Sequence, residues 1–343
     1  MKKLLNVLFV TLPDVMVSLE NENVCVKKDG KALLKVPLLN LEGLVLFNYF
    51  GATPQLMGEC AKRNITISFL SEHGRFIGTF HGEMKGSVIL RKEQYRISDT
   101  AARSFPYAKN FVFGKLHNDK WVLERSIRDH ALRVDVERLN KASSHITESM
   151  KQMFDCCDIG SLRAIEGNAA KAYFSVFDEL ILKNKAVFVF TNRNRRPPTD
   201  PVNALLSFAY TLLASECRHA LECVGLDSYV GFLHADRPGR ASLALDLMEE
   251  LRPHFADRFI LSLINRDEVT PSDFETQESG AVLLSSEARK GLLSAWQKRK
   301  KETITHPFLK EKLEWGLVPY VQALLLSRTI RGDLEQYPPF LWK

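Results

Sequence analysis

The change in hydrophobic spacing near Gly86 limits the possible folds more than any other feature of the chain. Before it, apolar residues alternate with polar ones in short runs such as 15–19 and 24–27, which is typical of β-strands. After it, apolar residues recur every three or four positions over long segments, which is typical of amphipathic helices. A chain of 343 residues is long enough for two packed cores. The sequence therefore predicts an α+β protein, with a small, mostly β domain at 1–86 and a larger, all-α domain at 87–343.

Turn signals and periodicity predict the individual elements. Asn21-Glu22-Asn23 and Asp29-Gly30 are turn signals between the first strands. A hairpin is expected over 65–80, and a helix is expected before it over 54–63. In the second domain the apolar spacing predicts helices over 111–139, 162–177, 203–224, 243–251 and 281–297. Strands and helices thus occupy separate parts of the chain, as in α+β folds.

Several common enzyme classes lack their signatures in this sequence. There is no G-x-x-x-x-G-K-[ST], G-x-G-x-x-G, H-E-x-x-H or G-x-S-x-G motif. Nucleotide hydrolysis, hydride transfer, zincin proteolysis and α/β-hydrolase chemistry therefore lose support. The formal net charge of +6 permits a nucleic-acid partner but does not require one.

The sequence also predicts a cytoplasmic protein without a membrane span. No run of eighteen or more apolar residues occurs. Met1-Lys2-Lys3 and the apolar residues up to Val10 imitate a secretory signal, but no small-residue cleavage site follows, so a first β-strand is the preferred interpretation. The six cysteines form no C-x-x-C pair, and a chain of this size needs no disulfide framework.

The stretch 231–253 contains the clearest candidates for chemistry. Asp246 and Glu249 lie three residues apart on a predicted helix, so they project from the same face. Two adjacent acids repel each other, and a bound cation or a protonation role would relieve this repulsion. The sequence alone equally allows a solvated polar face that includes Glu250, and the single His234 adds little by itself.

Two further segments are candidate functional regions. Glu166 is followed by small residues at 167–170, which would let a DNA backbone or a neighbouring helix come close. Arg195 and Arg196 lie in a basic loop stiffened by prolines, and arginines on a rigid loop suit phosphate contacts. Tight helix packing and a plain solvated loop are the alternatives for these segments.

Three motifs, taken in order, resemble the CRISPR-associated integrase of spacer acquisition, which is the first universal protein of CRISPR adaptation. They are IEGNAA at 165–170 followed by Tyr173-Phe174, RRPPTDPVNALLSF at 195–208, and the stretch 234–253. The resemblance covers essentially the whole chain, and a β domain before a larger helical domain is the architecture of that family. The agreement in the middle motif suggests a subtype I-C-like system.

The resemblance implies a catalytic site with a divalent metal, Mn²⁺ or Mg²⁺, bound by Glu166, His234 and Glu249. Asp246 is implied to lie in the same site and to be needed there, with direct or water-mediated metal contact left open. Glu250 is an adjacent competitor of Glu249 for the third position. Carboxylate and imidazole ligands suit such ions, and a bound metal offsets the charge that develops on a phosphate.

The resemblance also suggests partners. DNA contacts are expected from Arg195, Arg196, Asn203, Tyr173 and Arg240. Double-stranded and branched DNA are the implied ligands, and a homodimer is implied to form through the β domains. Two such dimers would hold the second universal CRISPR adaptation protein, a small ferredoxin-like dimer. In I-C-like systems an accessory adaptation nuclease is expected as well.

Three functions stay open on these grounds. The expected function is a metal-dependent DNA endonuclease and integrase, which inserts new spacer DNA into a CRISPR array by 3′-hydroxyl attack on repeat phosphodiesters. The alternatives are a non-catalytic DNA-binding scaffold of the same adaptation complex and a metal-dependent phosphohydrolase with another substrate. An acid–histidine–acid set spread over three segments favours the enzyme, since a scaffold has no need for it.

Overall fold

The computed structural model describes residues 6–48, 50–71, 76–82, 88–194 and 197–343. They form two compact units, one within Met1–Lys85 together with Ser286–Lys301, and the other within Gly86–Ser285 together with Glu302–Lys343. The sequence predicts 286–301 as part of the helical domain, whereas the structure groups this segment with the first unit. Its apolar face is buried, but the spacing of apolar residues does not tell which core such a face will cover.

The first unit is built from two small sheets and a helix. Its elements are β1 (Asn6–Val10), β2 (Met16–Glu20), β3 (Asn23–Lys28), β4 (Lys31–Pro37), β5 (Leu41–Leu46), α1 (Pro54–Lys62), β6 (Thr66–Leu70) and β7 (Phe76–Phe80). Strands β2, β3 and β4 form an antiparallel sheet in that order. The other sheet has the order β1-β5-β6-β7, in which β1, β5 and β6 are parallel and β7 is antiparallel. Helix α1 makes the crossover between the parallel strands β5 and β6.

Local sequence explains the hairpins of this unit. Asn21 and Glu22 have φ values of 46° and 61°, and Asp29 and Gly30 have 49° and 76°. Such left-handed pairs match the twist of two-residue hairpin loops, which asparagine, aspartate and glycine tolerate best. The expected hairpin over 65–80 is also present as antiparallel β6 and β7, although its expected turn residues at 72–74 lie outside the described residues.

The second unit is predominantly helical. Its longer elements are α2 (Val88–Ser98), α3 (Ala101–His130), α4 (Val136–Asp155), α5 (Ile159–Phe174), α6 (Pro201–Cys223), α7 (Ser242–Glu249) and α8 (Arg258–Asn265). A π-helical turn at Pro253–Asp257 leads into α8. Two short antiparallel pairs follow, β8 (Phe274–Thr276) with β9 (Val282–Leu284), and β10 (Thr303–Thr305) with β11 (Lys312–Glu314). Helix α9 (Ser286–Lys300), which groups with the first unit, lies between these pairs in sequence, and α10 (Val318–Ile330) ends the series.

The predicted α+β class is confirmed, with differences at several boundaries. The helix expected over 111–139 is two helices, because Asp135 caps α4 by accepting from the Arg138 amide at 3.0 Å. The helix expected over 281–297 begins only at Ser286, since Val282–Leu284 is a strand paired with Phe274–Thr276. Short strands of this kind depend on a partner segment, which local periodicity does not show.

Helix α3 organises the core of the second unit. It packs against α4, α5 and α7, and α6 packs against α7 and α10. The acidic helix α7 is therefore enclosed by other helices. Within the described part of the chain, every helix is too short or too polar to cross a membrane.

Candidate active site

Helix α7 and the residue that follows it carry three acids, and all of them are buried. Asp246, Glu249 and Glu250 are 0, 3 and 0% exposed. A solvated polar face would leave these carboxylates in water, so that alternative interpretation of the helix is wrong. Buried carboxylates need partners, because removing them from water is unfavourable. The three acids have three different sets of partners.

Asp246 binds the chain segment that contains His234. Its carboxylate accepts from the backbone amides of Phe232, Leu233 and His234 at 2.6, 2.9 and 2.9 Å. The His234 ring lies on the same carboxylate, with Nδ1 at 2.6 Å from Oδ1. Both oxygens are occupied in this way, so Asp246 supports the histidine.

This contact determines what His234 can offer to a ligand. Because a carboxylate only accepts, Nδ1 carries the hydrogen, and the lone pair of a neutral ring is left at Nε2. Nε2 lies 3.9 Å from Glu249 Oε1, so the open nitrogen is on the side of the second acid. The His234 side chain is 28% exposed and can meet a ligand from solvent.

Gly231 lets the segment 232–234 lie close to Asp246 on α7. A Cβ atom at position 231 would lie 2.8 Å from Ser242 Cβ and 2.9 Å from Asp246 Oδ2. Both distances are shorter than ordinary carbon contacts, so a side chain would push the 232–234 segment away from α7. Glycine is therefore required for the aspartate to reach the three amides.

Glu166 and Glu249 share one ammonium group. Lys115 on α3 forms an ion pair with Glu166 on α5, and its Nζ lies 2.8 Å from Glu249 Oε2. Burial lowers the pKa of Lys115, but Glu249 and Glu166 outweigh this effect and raise it. The predicted site residues Glu166, His234 and Glu249 thus converge, with a lysine that the sequence did not indicate between the two glutamates.

Arg252 holds the other side of Glu249. Its Nη2 lies 3.0 Å from Glu249 Oε1, and its guanidinium lies over the Tyr210 ring at 5.2 Å from the centroid. Burial opposes ionisation of Glu249, but the charges of Arg252 and Lys115 outweigh this effect and lower its pKa. Glu249 is therefore an anion at neutral pH despite its burial.

Glu250 faces a different part of the protein. Gln322 Nε2 donates to its Oε1 at 2.9 Å, the Phe340 amide donates to its Oε2 at 2.9 Å, and the Tyr337 hydroxyl donates to Oε1. Burial raises the pKa of Glu250 to about 7, although these hydrogen bonds oppose the rise. Glu250 thus binds the C-terminal segment, while its neighbour Glu249 faces Glu166 and His234.

Two arginines donate hydrogen bonds to the backbone on either side of His234. Arg163 donates through Nε to the Leu233 carbonyl at 3.0 Å, which connects α5 to this loop. Arg240 donates to the Ala235 carbonyl, and its Nε lies 3.3 Å from Ser242 Oγ. Arg163 precedes Glu166 by three residues, and Arg252 follows Glu249 by three. This three-residue helical spacing is the one signal by which the sequence could have indicated Arg163 and Arg252.

The residues expected to contact DNA differ in accessibility. Tyr173 is 1% exposed and donates to Asp257 at 3.2 Å, and Asn203 is 0% exposed with its amide bound to Asn192 and Asp200. Both side chains are buried and bound to other residues of the chain, so neither presents a surface to DNA, in contrast to the expectation from the sequence. Arg195 and Arg196 lie outside the described residues, and Arg240 is partly exposed beside the site.

A divalent ion fits the donors of this site in chemical type. Glu166 and Glu249 supply carboxylates, and His234 supplies a nitrogen oriented by a second carboxylate, which is a common arrangement at metal centres. Glu249 Oε2 is buried and lies 2.8 Å from Lys115 Nζ, so this oxygen already faces a cation. Among the described residues no three His, Cys, Asp or Glu side chains are close enough to form a closed metal-binding group, because Lys115 lies between the glutamates.

Comparison with known sequences assigns the chain to a family. The family described as CRISPR associated protein Cas1 matches residues 8–298, which is most of the chain. The chain belongs to the Cas1 family. A curated Cas1 relative from Chlorobaculum tepidum, named CRISPR-associated endonuclease Cas1 1, is 46% identical over 343 residues and is matched over 100% of both chains.

Solved structures share the fold of this Cas1 chain. A casposase bound to integration product superposes with a TM-score of 0.83 at 21% identity, over 100% of this chain and 95% of the other. The Cas6-RT-Cas1–Cas2 complex contains a chain that matches with a TM-score of 0.82 at 24% identity, over 100% of this chain and 36% of that longer chain. At these identities the similarity establishes the fold, which is an N-terminal β region followed by a helical domain.

Proposed function

We propose that this Cas1 protein is a metal-dependent DNA endonuclease and integrase. It inserts new spacer DNA into a CRISPR array by attack of a DNA 3′-hydroxyl on repeat phosphodiesters, and it nicks DNA when water is the attacking group. The observation that carries the proposal is the convergence of Glu166, His234 and Glu249, with the histidine oriented by Asp246. The endonuclease name of the 46% identical relative supports the same activity.

Each residue of the site has a role that follows from its contacts. Glu166, His234 Nε2 and Glu249 would hold Mn²⁺ or Mg²⁺, and Asp246 fixes the ring so that Nε2 faces Glu249. The bound ion supplies Lewis-acid stabilisation of phosphate charge and activates the attacking oxygen. Arg252 keeps Glu249 ionised and in place. No protein nucleophile is needed, because the attacking group belongs to DNA or water.

The exposed surface beside the site suits a DNA backbone. The loop at 235–239 is exposed next to His234, and Arg240 is partly exposed at its end. Gly167 follows Glu166, and an added Cβ there would meet no atom within 4 Å, which leaves room for a ligand. We expect Arg240, with Arg195 and Arg196 of the basic loop, to contact phosphates.

The proposed partners follow the same assignment. The similar chain of the Cas6-RT-Cas1–Cas2 complex is assembled with Cas2, which supports this second universal adaptation protein as a partner here. The exposed edge strand β4 supports a homodimer through the first unit, because Leu33 and Leu34 on it are 52 and 45% exposed. The subtype I-C-like assignment, the accessory nuclease and the cytoplasmic location stay predictions.

Substitution of two site residues tests the proposal. Glu166→Gln and His234→Ala should each reduce strand joining on a branched DNA substrate with Mn²⁺ on the order of 100-fold or more, because each removes a metal donor. Binding to the same DNA should be retained. Glu148→Gln is the matched control, since Glu148 is an exposed acid paired with Lys151 on α4.

The other two functions predict different results in the joining assay and in a salt titration of DNA binding. Unchanged joining by both variants would indicate a scaffold whose acids serve only structure. A phosphohydrolase with a small substrate would bind DNA with little dependence on salt, whereas a DNA enzyme with many phosphate contacts loses affinity steeply as salt rises.

A further inference from the structure

Lys115 is the most buried cation of the site and sits between the two glutamates proposed as metal ligands. Its side chain is 9% exposed, and its Nζ contacts Glu166 and lies 2.8 Å from Glu249 Oε2. It comes from the middle of α3, so its position is fixed by the helix at the centre of the unit. The ammonium therefore occupies the region where a cation bridging the two carboxylates would bind.

The charges around Lys115 make this contact strong. Asp119, one turn later on α3, is buried, and burial raises its pKa well above the ordinary value although Lys115 opposes the rise. The carboxylates in contact with the ammonium are those of Glu166 and Glu249, which are therefore its counter-charges. Removing one member of a buried ion pair leaves the others uncompensated, which is strongly unfavourable.

A divalent ion at the same carboxylates would meet the ammonium at close range. Lys115 and Arg252 together already balance the charges of Glu166 and Glu249. Adding two positive charges beside them gives the site an excess of positive charge unless the lysine moves away. In a buried region like charges repel much more strongly than in water.

We propose that Lys115 is an internal counter-cation that stabilises the metal-free site and competes with the divalent ion for Glu166 and Glu249. Lys115 thereby makes the affinity of the site for the divalent ion weaker than the three ligands alone would give. The metal part of this inference rests on the proposed function. The stabilising part concerns the protein without metal and stands on the ion pairs alone.

Replacement of the lysine by an uncharged side chain of similar length tests both parts. Lys115→Met should lower Tm in EDTA by about 5 °C or more, because the two glutamates then face each other without the ammonium. The same variant should bind Mn²⁺ about tenfold more tightly or better in a calorimetric titration, because the competing charge is gone. Its Tm should also rise more than that of the wild type when Mn²⁺ is added.

Two further variants make the result specific. Lys151→Met removes the same charge from an exposed pair with Glu148 and should change neither quantity. Lys115→Arg keeps the charge and should bind Mn²⁺ no more tightly than the wild type, which provides a second test if Lys115→Met does not fold in EDTA. Folding of Lys115→Met only when Mn²⁺ is present would support the proposal.

Other outcomes would overturn it. Equal or weaker Mn²⁺ binding by Lys115→Met, or tighter binding by Lys115→Arg, would show that the ammonium does not compete. If wild-type binding is abolished in Glu166→Gln while Lys115→Met binds like the wild type, the inference fails and the proposed function stands. If neither the wild type nor Lys115→Met binds Mn²⁺, the metal assignment fails as well.

Discussion

Asp246 has the most specific requirements of any residue in the site. Its two oxygens accept from three backbone amides and from the His234 ring, so every neighbour is a donor. Both positions, Oδ1 and Oδ2 of the carboxylate, must therefore be hydrogen-bond acceptors. A neutral amide of the same size supplies an acceptor on only one side.

Asp246→Asn should therefore be both less stable and less active. Its NH₂ group would face N–H donors, and at least one buried amide would lose its acceptor, which costs about 2 kcal/mol or more in the free energy of unfolding. Strand joining should fall because the His234 ring loses its orientation. Urea unfolding and a joining assay measure the two effects. Asp155→Asn, at an exposed position at the end of α4, is the control, and an equal loss in both variants would contradict the assignment.

His306 makes a prediction about acid stability. It is 0% exposed, and its Nδ1 accepts from the amides of Phe308 and Leu309. Burial lowers its pKa to about 4, although the contact with Gln322 opposes this. Below the ordinary histidine pKa of about 6.5, the unfolded chain takes up a proton that the folded protein does not accept. This histidine therefore leaves stability unchanged above that pH and lowers it as the pH falls from about 6.5 to 4.

The expected slope is about 1.4 kcal/mol per pH unit for each such histidine. Burial also lowers the pKa of His117, to about 4, and that of His254, whereas it raises the pKa of Glu250, which has the opposite effect on stability. The difference between the variant and the wild type therefore isolates the contribution of His306. His306→Gln should reduce the slope between pH 6 and 4.5 by one proton, as measured by urea unfolding at a series of pH values. The two slopes should coincide between pH 7 and 8. A variant slope equal to that of the wild type at low pH would contradict the prediction.

Two helices differ in how they use glycine. In α3, a Cβ at Gly114 would lie 2.8 Å from Glu250 Cβ and 3.1 Å from Pro339 Cβ, so this glycine lets α7 and the C-terminal segment pack closely on α3. In α5, a Cβ at Gly167 would meet no atom within 4 Å. The first glycine serves packing between elements, and the second leaves open space beside Glu166.

Alanine at these two positions should have opposite effects on stability. Gly114→Ala should lower the free energy of unfolding by about 1–3 kcal/mol through overpacking. Gly167→Ala should raise it by about 0.5–1 kcal/mol, because alanine is the better helix former. Urea unfolding of both variants provides the comparison, and effects of the same sign would be inconsistent with the described packing.

The sequence predicted the helices of the second unit better than it predicted the short strands and the contacts between side chains of different helices. Apolar spacing indicated α5, α6 and α7 within a few residues, since apolar side chains recur every three or four positions in each of them. It did not indicate β8 to β11, because strands of three residues are too short to show an alternating pattern. It also missed Lys115, because nothing in the neighbourhood of α3 shows that two glutamates from other helices approach it. The burial of Tyr173 and Asn203 was likewise not predictable from motifs alone.

The first unit has an edge strand, β4, with two exposed leucines. Strand β4 pairs only with β3 within its sheet, and Leu33 and Leu34 on it are 52 and 45% exposed. Exposed edges of this kind pair readily with another chain. This is the structural basis on which we expect the protein to form a homodimer.

Leu33→Lys should convert the dimer into a monomer, because a charged side chain on an edge strand opposes pairing with a second copy. Light scattering coupled to size-exclusion chromatography measures the molar mass directly. Leu132→Lys is the matched control, since Leu132 is fully exposed in the second unit and should leave the mass unchanged. A dimer that persists in Leu33→Lys would place the interface elsewhere.

The contacts of Glu250 with Tyr337 and Phe340 have a consequence for how the protein is made. Asn118 also donates to the Phe340 carbonyl and accepts from the Trp342 amide, so α3 and α7 both depend on residues 337–342. A ribosome synthesises this segment more than 80 residues after the helix that carries Glu249. In the nascent chain, Glu250 and Asn118 therefore lack their hydrogen-bond partners until residues 337–342 have left the ribosome. Only then can the C-terminal segment pack against α3 and the end of α7.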